Sequence, residues 1–165
     1  MWSCNRRTLL CLAAAALALA SCGFQPAYGP AGPATRLQAS ISLDPPADKD
    51  GFDLVERLEQ RLGHAEGPAY HLSYAIETQT NAVGITQTYA ITRYNINGSV
   101  RYALRDLASG AELTSGIVDS FTAHSASSTT FSTLIAERDA KTRLMRLLAD
   151  QIALRLMATS GVWGK

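Results

Sequence analysis

The feature that most constrains the fold is a long alternation of apolar and polar residues between Tyr89 and Arg105. The apolar residues are Tyr94, Ile96, Val100, Tyr102 and Leu104, and the polar ones are Arg93, Asn95, Asn97, Ser99, Arg101 and Arg105. A period of two is typical of a β-strand with one buried face and one wet face. Because two-faced strands belong to antiparallel sheets, the sequence predicts a sheet covered on one side only.

Shorter patterns on either side predict further strands and a first helix. Alternation predicts strands at 37–43, 70–76 and 112–122, and the last places Leu113, Ile117 and Phe121 on one face. The polar stretch 78–88, with Gly84 in its middle, is predicted to be a loop, and 106–110 a turn. Spacings of three and four predict a helix over 52–62, whose apolar residues are Phe52, Val55, Leu58 and Leu62.

A second, longer helix is predicted over 131–158, where the chain has neither proline nor glycine. The Ser/Thr cluster at 125–130 offers N-caps, and Gly161 is expected to end the helix. Its broad apolar stripe contains Leu134, Ile135, Leu144, Met145, Leu148, Ile152, Leu156 and Met157. We therefore predict an α+β two-layer sandwich of order β-α-β-β-β-α, with two helices on one face of a four-stranded, mainly antiparallel sheet.

The N-terminus has the features of a bacterial lipoprotein signal. Arg6 and Arg7 precede an uncharged stretch that ends in Leu19-Ala20-Ser21-Cys22. This order of a basic region, an apolar run and small residues before a cysteine predicts cleavage before Cys22 and lipidation of its thiol. The predicted organisation is a signal peptide at 1–21, the lipidated Cys22 with a Pro/Gly-rich tether at 22–36, and one domain at 37–165.

Processing leaves a nearly neutral chain that lacks a free thiol. Removal of residues 1–21 leaves 144 residues with 13 Lys and Arg against 14 Asp and Glu, which gives no reason to expect a nucleic-acid partner. Cys4 and Cys11 leave with the signal, so no disulfide is expected. We expect no cofactor beyond the lipid on Cys22. Sec export is favoured, although Arg6-Arg7 leaves the twin-arginine route open.

The residues give little support to catalysis or metal binding. His64, His71 and His124 are scattered without ligand spacing, and His71 is expected to be solvated. A Ser/His/Asp set could be drawn from the serine-rich segment, His124 and Asp119. However, the glycines of a nucleophile elbow do not surround these serines. The neighbouring carboxylates of the first helix, Asp53 and Glu56, are predicted to lie on its solvated side. We predict that the protein is not an enzyme.

The polar face of the long strand provides the candidate binding site. Arg93, Arg101 and Arg105 all have odd numbers, so a period of two places them on one face. Guanidinium groups bind phosphates and carboxylates with two parallel hydrogen bonds. The alternative is a charged, solvated face that keeps the sheet soluble.

Two stretches resemble a known family. The opening Cys22-Gly23-Phe24-Gln25-Pro26 with Tyr28-Gly29 is similar to the start of LptE, the lipopolysaccharide-assembly lipoprotein family, in its α-proteobacterial branch. The final helix is similar at Ala136-Glu137-Arg138-Asp139-Ala140, followed by Arg143, Leu147-Leu148-Ala149 and Gln151-Ile152. The resemblance implies a two-helix, four-strand sandwich anchored in the outer membrane through Cys22. It also implies a plug inside the LptD β-barrel, which helps the barrel assemble and deliver lipopolysaccharide.

The resemblance does not place the lipopolysaccharide contacts, so Arg93, Arg101 and Arg105 remain a hypothesis from strand periodicity. Lipopolysaccharide or the barrel is their expected ligand. Two other functions stay open. One is an auxiliary lipoprotein of an ABC-type lipid transporter, and the other is a lipid-anchored hydrolase. A Gly23 that follows Cys22, where inner-membrane retention would favour aspartate, fits release to the outer membrane.

Overall fold

The computed structural model describes residues 37–85, 91–126 and 129–163, together with 32 and 35. Its elements are β1 (Ile41–Leu43), α1 (Lys49–Leu62), β2 (Tyr70–Ile85), β3 (Ile91–Asp106), β4 (Glu112–Ser125) and α2 (Thr130–Trp163). The predicted order β-α-β-β-β-α and the α+β class are confirmed. The signal peptide, Cys22 and nearly all of the tether lie outside the described residues. None of the helices described is long and apolar enough to span a membrane.

The four strands form one mixed sheet in the spatial order β1-β2-β3-β4. The short β1 pairs with the start of β2 in parallel, while β2, β3 and β4 form an antiparallel meander. α1 connects the two parallel strands, as a crossover connection requires. Strands β2 and β3 have 16 residues each, so they span about 50 Å and give the sheet its length.

Both helices cover the same face of the sheet, as predicted. The core combines even-numbered residues of β2, β3 and β4 with Ile41 of β1 and one stripe of each helix. Its fully buried members include Leu58, Leu72, Val100, Leu104, Leu148 and Ile152. α2 lies directly against β3 at Gly98, where an added Cβ atom would stand 2.9 Å from Leu144 Cδ2. The helices are also joined by Asp150, which accepts from Arg57 and forms an ion pair with Arg61.

α1 begins earlier than predicted and is rotated about its axis. Asp48 caps it by accepting from the Gly51 N–H at 2.7 Å, and Gly63 ends it with a φ of 83°. The buried stripe is Gly51, Asp53, Leu54, Leu58 and Leu62, whereas Phe52 is exposed. The predicted solvated position of Asp53 is wrong. Its carboxylate binds Lys49 of α1 and the Thr142 hydroxyl of α2, which compensates for burial.

The first predicted strand is shorter than 37–43. Residues 38–40 form a turn, in which Ala39 has a φ of 57° and donates its N–H to the Leu62 carbonyl at 2.9 Å. This turn packs against the end of α1, and Leu37 is buried beneath it. Only Ile41–Leu43 then reach the edge of β2 and pair with it.

The predicted loop at 78–88 is wrong as far as residue 85. Residues 78–85 continue β2 and pair with β3 from Gly98 back to Ile91, with a bulge near Val83. The side chains of residues 78–81 are polar on both faces, and those of residues 78–80 are exposed. This end of β2 therefore lacks the alternation expected of a half-buried strand. The turn predicted after Asp106 is confirmed.

The face assigned to the last strand is also corrected. Ile117 and Phe121 lie on the outer face and are 46% and 64% exposed, while Val118 and Thr122 face the core. A bulge places Leu113 between the two residues that pair with β3 on either side of it, and Leu113 packs against the core. One inserted residue reverses the parity of a strand, so a pattern started at Leu113 assigns the wrong face.

α2 has 34 residues and is longer than predicted at both ends. Thr129 from the predicted cluster accepts from the Ser132 N–H at 3.2 Å, and the helix continues through Gly161. Its predicted stripe is buried from Leu144 onward. Leu134 and Ile135 are 42% and 46% exposed, because the first turns extend beyond the part of the sheet that the stripe covers.

Candidate functional site: the open face of the sheet

The face of the sheet opposite the helices is uncovered in the part of the chain that the structure describes. Odd-numbered residues of β2, β3 and β4 make up this outer face, and the strand register places them in rows of three. One row, for example, consists of Glu77, Ser99 and Asp119. The surface is largely polar, and its exposed large apolar side chains include Ile117 and Phe121.

The predicted arginines all lie on this outer face and are exposed, but they do not converge. Arg93 and Arg101 are eight residues apart on β3, about 27 Å along the strand, and Arg105 lies about 14 Å further on. Arg101 is 4.0 Å from Glu77 and lies beside Ile117. The three side chains therefore provide separate cationic points along a flat surface, which suits a large anionic ligand or partner better than one small anion.

At one end of this face, the side chains of a serine, a histidine and an aspartate lie in contact. The sequence analysis did not predict this group. His71 Nδ1 lies 3.0 Å from Ser42 Oγ, and His71 Nε2 lies 2.9 Å from Asp44 Oδ1. Because a carboxylate only accepts, Nε2–H donates to Asp44, and in this tautomer Nδ1 is an acceptor. The Ser42 hydroxyl therefore has two acceptors within reach, Nδ1 and the Tyr70 carbonyl at 3.1 Å. These hydrogen bonds join β1, and the segment that follows it, to β2.

The Ser/His/Asp set considered from the sequence is not assembled. His124 faces the helices, where it is 7% exposed and its ring stacks on Tyr94 at a centroid distance of 5.2 Å. Asp119 lies on the opposite, outer face of β4. Within the described ranges, no group of three or more His, Cys, Asp or Glu residues is placed to hold a metal ion.

A charged cleft lies between the N-terminal part of α1 and the first half of α2. It is lined by Lys49, Asp50, Asp53, Arg138, Lys141 and Thr142. Burial raises the pKa of the Asp50 carboxyl, and the nearby Lys141 ammonium opposes that shift. The cleft contains both cations and carboxylates. Lys49 forms an ion pair with Asp53, and Lys141 forms one with Glu137. The cleft therefore does not present a single sign of charge to a ligand.

The family comparison covers the whole sheet and nearly all of both helices. Residues 38–156 match the LptE family, described as lipopolysaccharide-assembly. This chain belongs to the LptE family. The match includes every strand of the open face and both predicted LptE-like segments of α2, but ends short of the last turns of that helix.

Several solved structures similar to this LptE-family chain are lipoproteins. A lipoprotein from Caulobacter crescentus is 26% identical, with a TM-score of 0.68 over 81% of this chain and 99% of that one. Rare lipoprotein B from Shewanella oneidensis is 16% identical, with a TM-score of 0.57 over 74% and 95% of the two chains. A minor lipoprotein from Acinetobacter baumannii is 18% identical, with a TM-score of 0.59 over 73% and 91%. No curated protein sequence matches the chain.

Proposed function

We propose that this LptE-family protein is an outer-membrane lipoprotein that occupies the lumen of an LptD-type β-barrel. There it helps the barrel assemble and helps deliver lipopolysaccharide to the outer leaflet. The observation that carries this proposal is the family match over residues 38–156, which coincides with the two-layer sandwich. The role is structural and non-catalytic, in keeping with the histidines, which lie in structural contacts.

The open sheet face supports a position inside a barrel. A barrel lumen is polar, so a protein that fills it needs a polar surface with only scattered apolar contacts. The outer face has this character, since Gln79, Asn97 and Ser99 line it beside Phe121. Arg93, Arg101 and Arg105 add cationic points to which lipopolysaccharide phosphates or carboxylates of the barrel wall would bind.

The predicted anchor places the domain at the membrane without a spanning helix. A cysteine that carries several acyl chains holds a protein firmly to a bilayer, whereas one chain holds it only marginally. Replacing Cys22 by alanine is expected to abolish acyl labelling of the protein, because the Cys22 thiol is the predicted acylation site. A Cys11→Ala variant is the matched control, because Cys11 belongs to the predicted signal and leaves on processing. Acyl labelling that persists in the Cys22 variant would contradict lipid anchoring there.

The arginine hypothesis is tested by removing all three side chains together. The Arg93→Ser, Arg101→Ser, Arg105→Ser variant is expected to bind lipopolysaccharide or the barrel more weakly than the unchanged protein, with an unchanged circular dichroism spectrum. Arg146→Ser is the control, since Arg146 is exposed on α2, away from the open face. If lipopolysaccharide binding and barrel binding are both unchanged in the triple variant, these arginines have no part in the function.

Capture of the tagged protein from its own membranes in mild detergent tests the function as a whole. Recovery of a large β-barrel near one-to-one supports the proposal. Recovery of an inner-membrane permease with its ATPase would assign the protein to an ABC-type lipid transporter instead. Hydrolysis of a lipid ester that disappears on changing His124 would indicate the hydrolase, and either of these two results would overturn the proposal.

A further inference from the structure

The two long edges of the sheet differ in how far other parts of the chain cover them. The edge formed by β4 is blocked by α2. The strand register directs the backbone groups of even-numbered β4 residues to β3, so the odd-numbered ones point to the free edge. Three α2 side chains donate hydrogen bonds to backbone carbonyls on that edge. Arg155 donates to the Ile117 carbonyl. Gln151 donates to Asp119 at 3.2 Å, and Arg143 donates to Ala123 at 3.4 Å. These contacts leave little room for another strand.

The opposite edge belongs to β2, and β1 covers only its first residues. The Tyr70 N–H donates to Ser40, and the Leu72 carbonyl accepts from Asp44, so even-numbered β2 residues face this edge. The segment 44–48 flanks β2 at Tyr74 and Ile76. Beyond it, the edge-facing N–H and C=O groups of Thr78, Thr80 and Ala82 have no hydrogen-bond partner among the described residues, and all three residues are exposed.

The residues of this edge lack the usual protection against strand pairing. Natural edge strands are protected by charged side chains, prolines or a cover. Residues 78–85 contain neither a charge nor a proline, and the bulge near Val83 lies at the far end of the open stretch. Alternating, uncompensated donors and acceptors over about 14 Å complement an extended backbone.

We propose that the β2 edge at residues 78–82 is a docking site for an extended segment of a partner protein, which adds as a fifth strand to the sheet. This inference rests on the proposed function, because the partner it names is the protein that holds the domain, the β-barrel component. The chain's own N-terminal stretch is a poor occupant, since Pro26, Pro30 and Pro33 lack the N–H groups that a strand ladder needs.

The variant that tests this proposal removes one edge donor and spares the ladder to β3. Thr80→Pro deletes an N–H that points outward and places a ring where the added strand would lie. Thr80→Ala is the control that keeps the N–H and loses only the side chain. Capture of the barrel in mild detergent is expected to fall about tenfold for Thr80→Pro and to persist for Thr80→Ala.

Amide hydrogen exchange on the unchanged, acylated protein gives a second test that does not depend on a variant's folding. The amides of Thr78, Thr80 and Ala82 are expected to exchange at least about tenfold more slowly in the captured complex than in the free protein. Those of Gln79 and Asn81 point to β3 and are expected to be protected in both. If the barrel is captured but the three edge amides stay unprotected, the docking site is wrong while the proposed function stands.

Three other outcomes would also overturn the inference. Protection of the edge amides in the free monomer would show that the chain covers its own edge. A dimer of the free protein that dissociates on Thr80→Pro would assign the edge to a second copy of this chain. Failure to capture any barrel, with protein that is folded and acylated, would remove the proposed function and with it the partner named here.

Discussion

The close contact between Gly98 of β3 and α2 allows a quantitative test of how this helix packs on the sheet. Gly98→Ala places a Cβ atom 2.9 Å from Leu144 Cδ2 and 3.1 Å from Leu148 Cδ1, both in the buried core. Overpacking of this kind costs about 1–3 kcal/mol, whereas glycine in a strand interior costs about 0.5–1 kcal/mol relative to alanine. The overpacking is the larger effect, so we expect a net loss of about 1–2 kcal/mol in the free energy of unfolding.

The assay is urea unfolding, followed by circular dichroism, of the mature chain with Cys22→Ser, which stays unacylated. In a parallel thermal melt, a loss of this size lowers the melting temperature of a chain of about 144 residues by about 3–7 °C. Gly67→Ala is the matched control, because nothing lies within 4 Å of its added Cβ atom. It removes backbone freedom from the unfolded chain without a clash, so we expect it to raise stability by about 0.4–1 kcal/mol.

A double-mutant cycle separates the clash from other effects. Leu144→Ala alone is expected to cost about 2–5 kcal/mol because it leaves a cavity in the core. Combined with Gly98→Ala, the loss is expected to be smaller than the sum by about 1 kcal/mol, since the new methyl group occupies the vacated space. If Gly98→Ala stabilises the chain as Gly67→Ala does, or if the two core changes are additive, α2 does not lie against β3 at Gly98.

Two further predictions concern charged groups. Asp150→Asn is expected to lower the melting temperature by a few degrees in low salt, and by less in about 1 M salt, because it weakens the ion pairs that join α1 to α2 through Arg57. Hydrogen bonds from Ser109 lower the pKa of Asp106, so this carboxylate stabilises the folded chain above its unfolded pKa of about 3.9 and loses that effect as the pH falls through the lower, folded pKa. Thermal unfolding of Asp106→Asn against the unchanged chain is therefore expected to show a deficit at pH 7 that vanishes in strong acid, and a pH-independent difference would contradict this.

Element order was predictable because each pattern is local. The alternation in β3 and the uninterrupted stripe of α2 each require only neighbouring residues and a solvent boundary. The loop prediction for residues 78–85 was wrong because these residues are held extended by their pairing with β3. Most of them are exposed there, so their sequence lacks a two-faced pattern. The predicted face of Ile117 was wrong because the bulge at Leu113 changes which residues of β4 point to the core. A bulge has no signature in this sequence.

The candidate site was predictable in part. Periodicity placed Arg93, Arg101 and Arg105 on one face, and the structure adds that they lie far apart along it. The contact of His71 with Ser42 and Asp44 depends on β1 choosing the parallel edge of β2, a pairing between distant segments that no local pattern encodes. The difference between the two sheet edges was inaccessible for the same reason, because it arises from α2 side chains that reach across to β4.

The blocking of β4 by α2 has a kinetic consequence. α2 follows β4 in the chain, so during synthesis and export the β4 edge exists before the residues that block it. Until Gln151 and Arg155 arrive, a nascent sheet exposes both of its long edges, and two such molecules have surfaces that pair. Loss or slow docking of the final helix therefore leads to aggregation through strand pairing, in addition to the loss of a core layer.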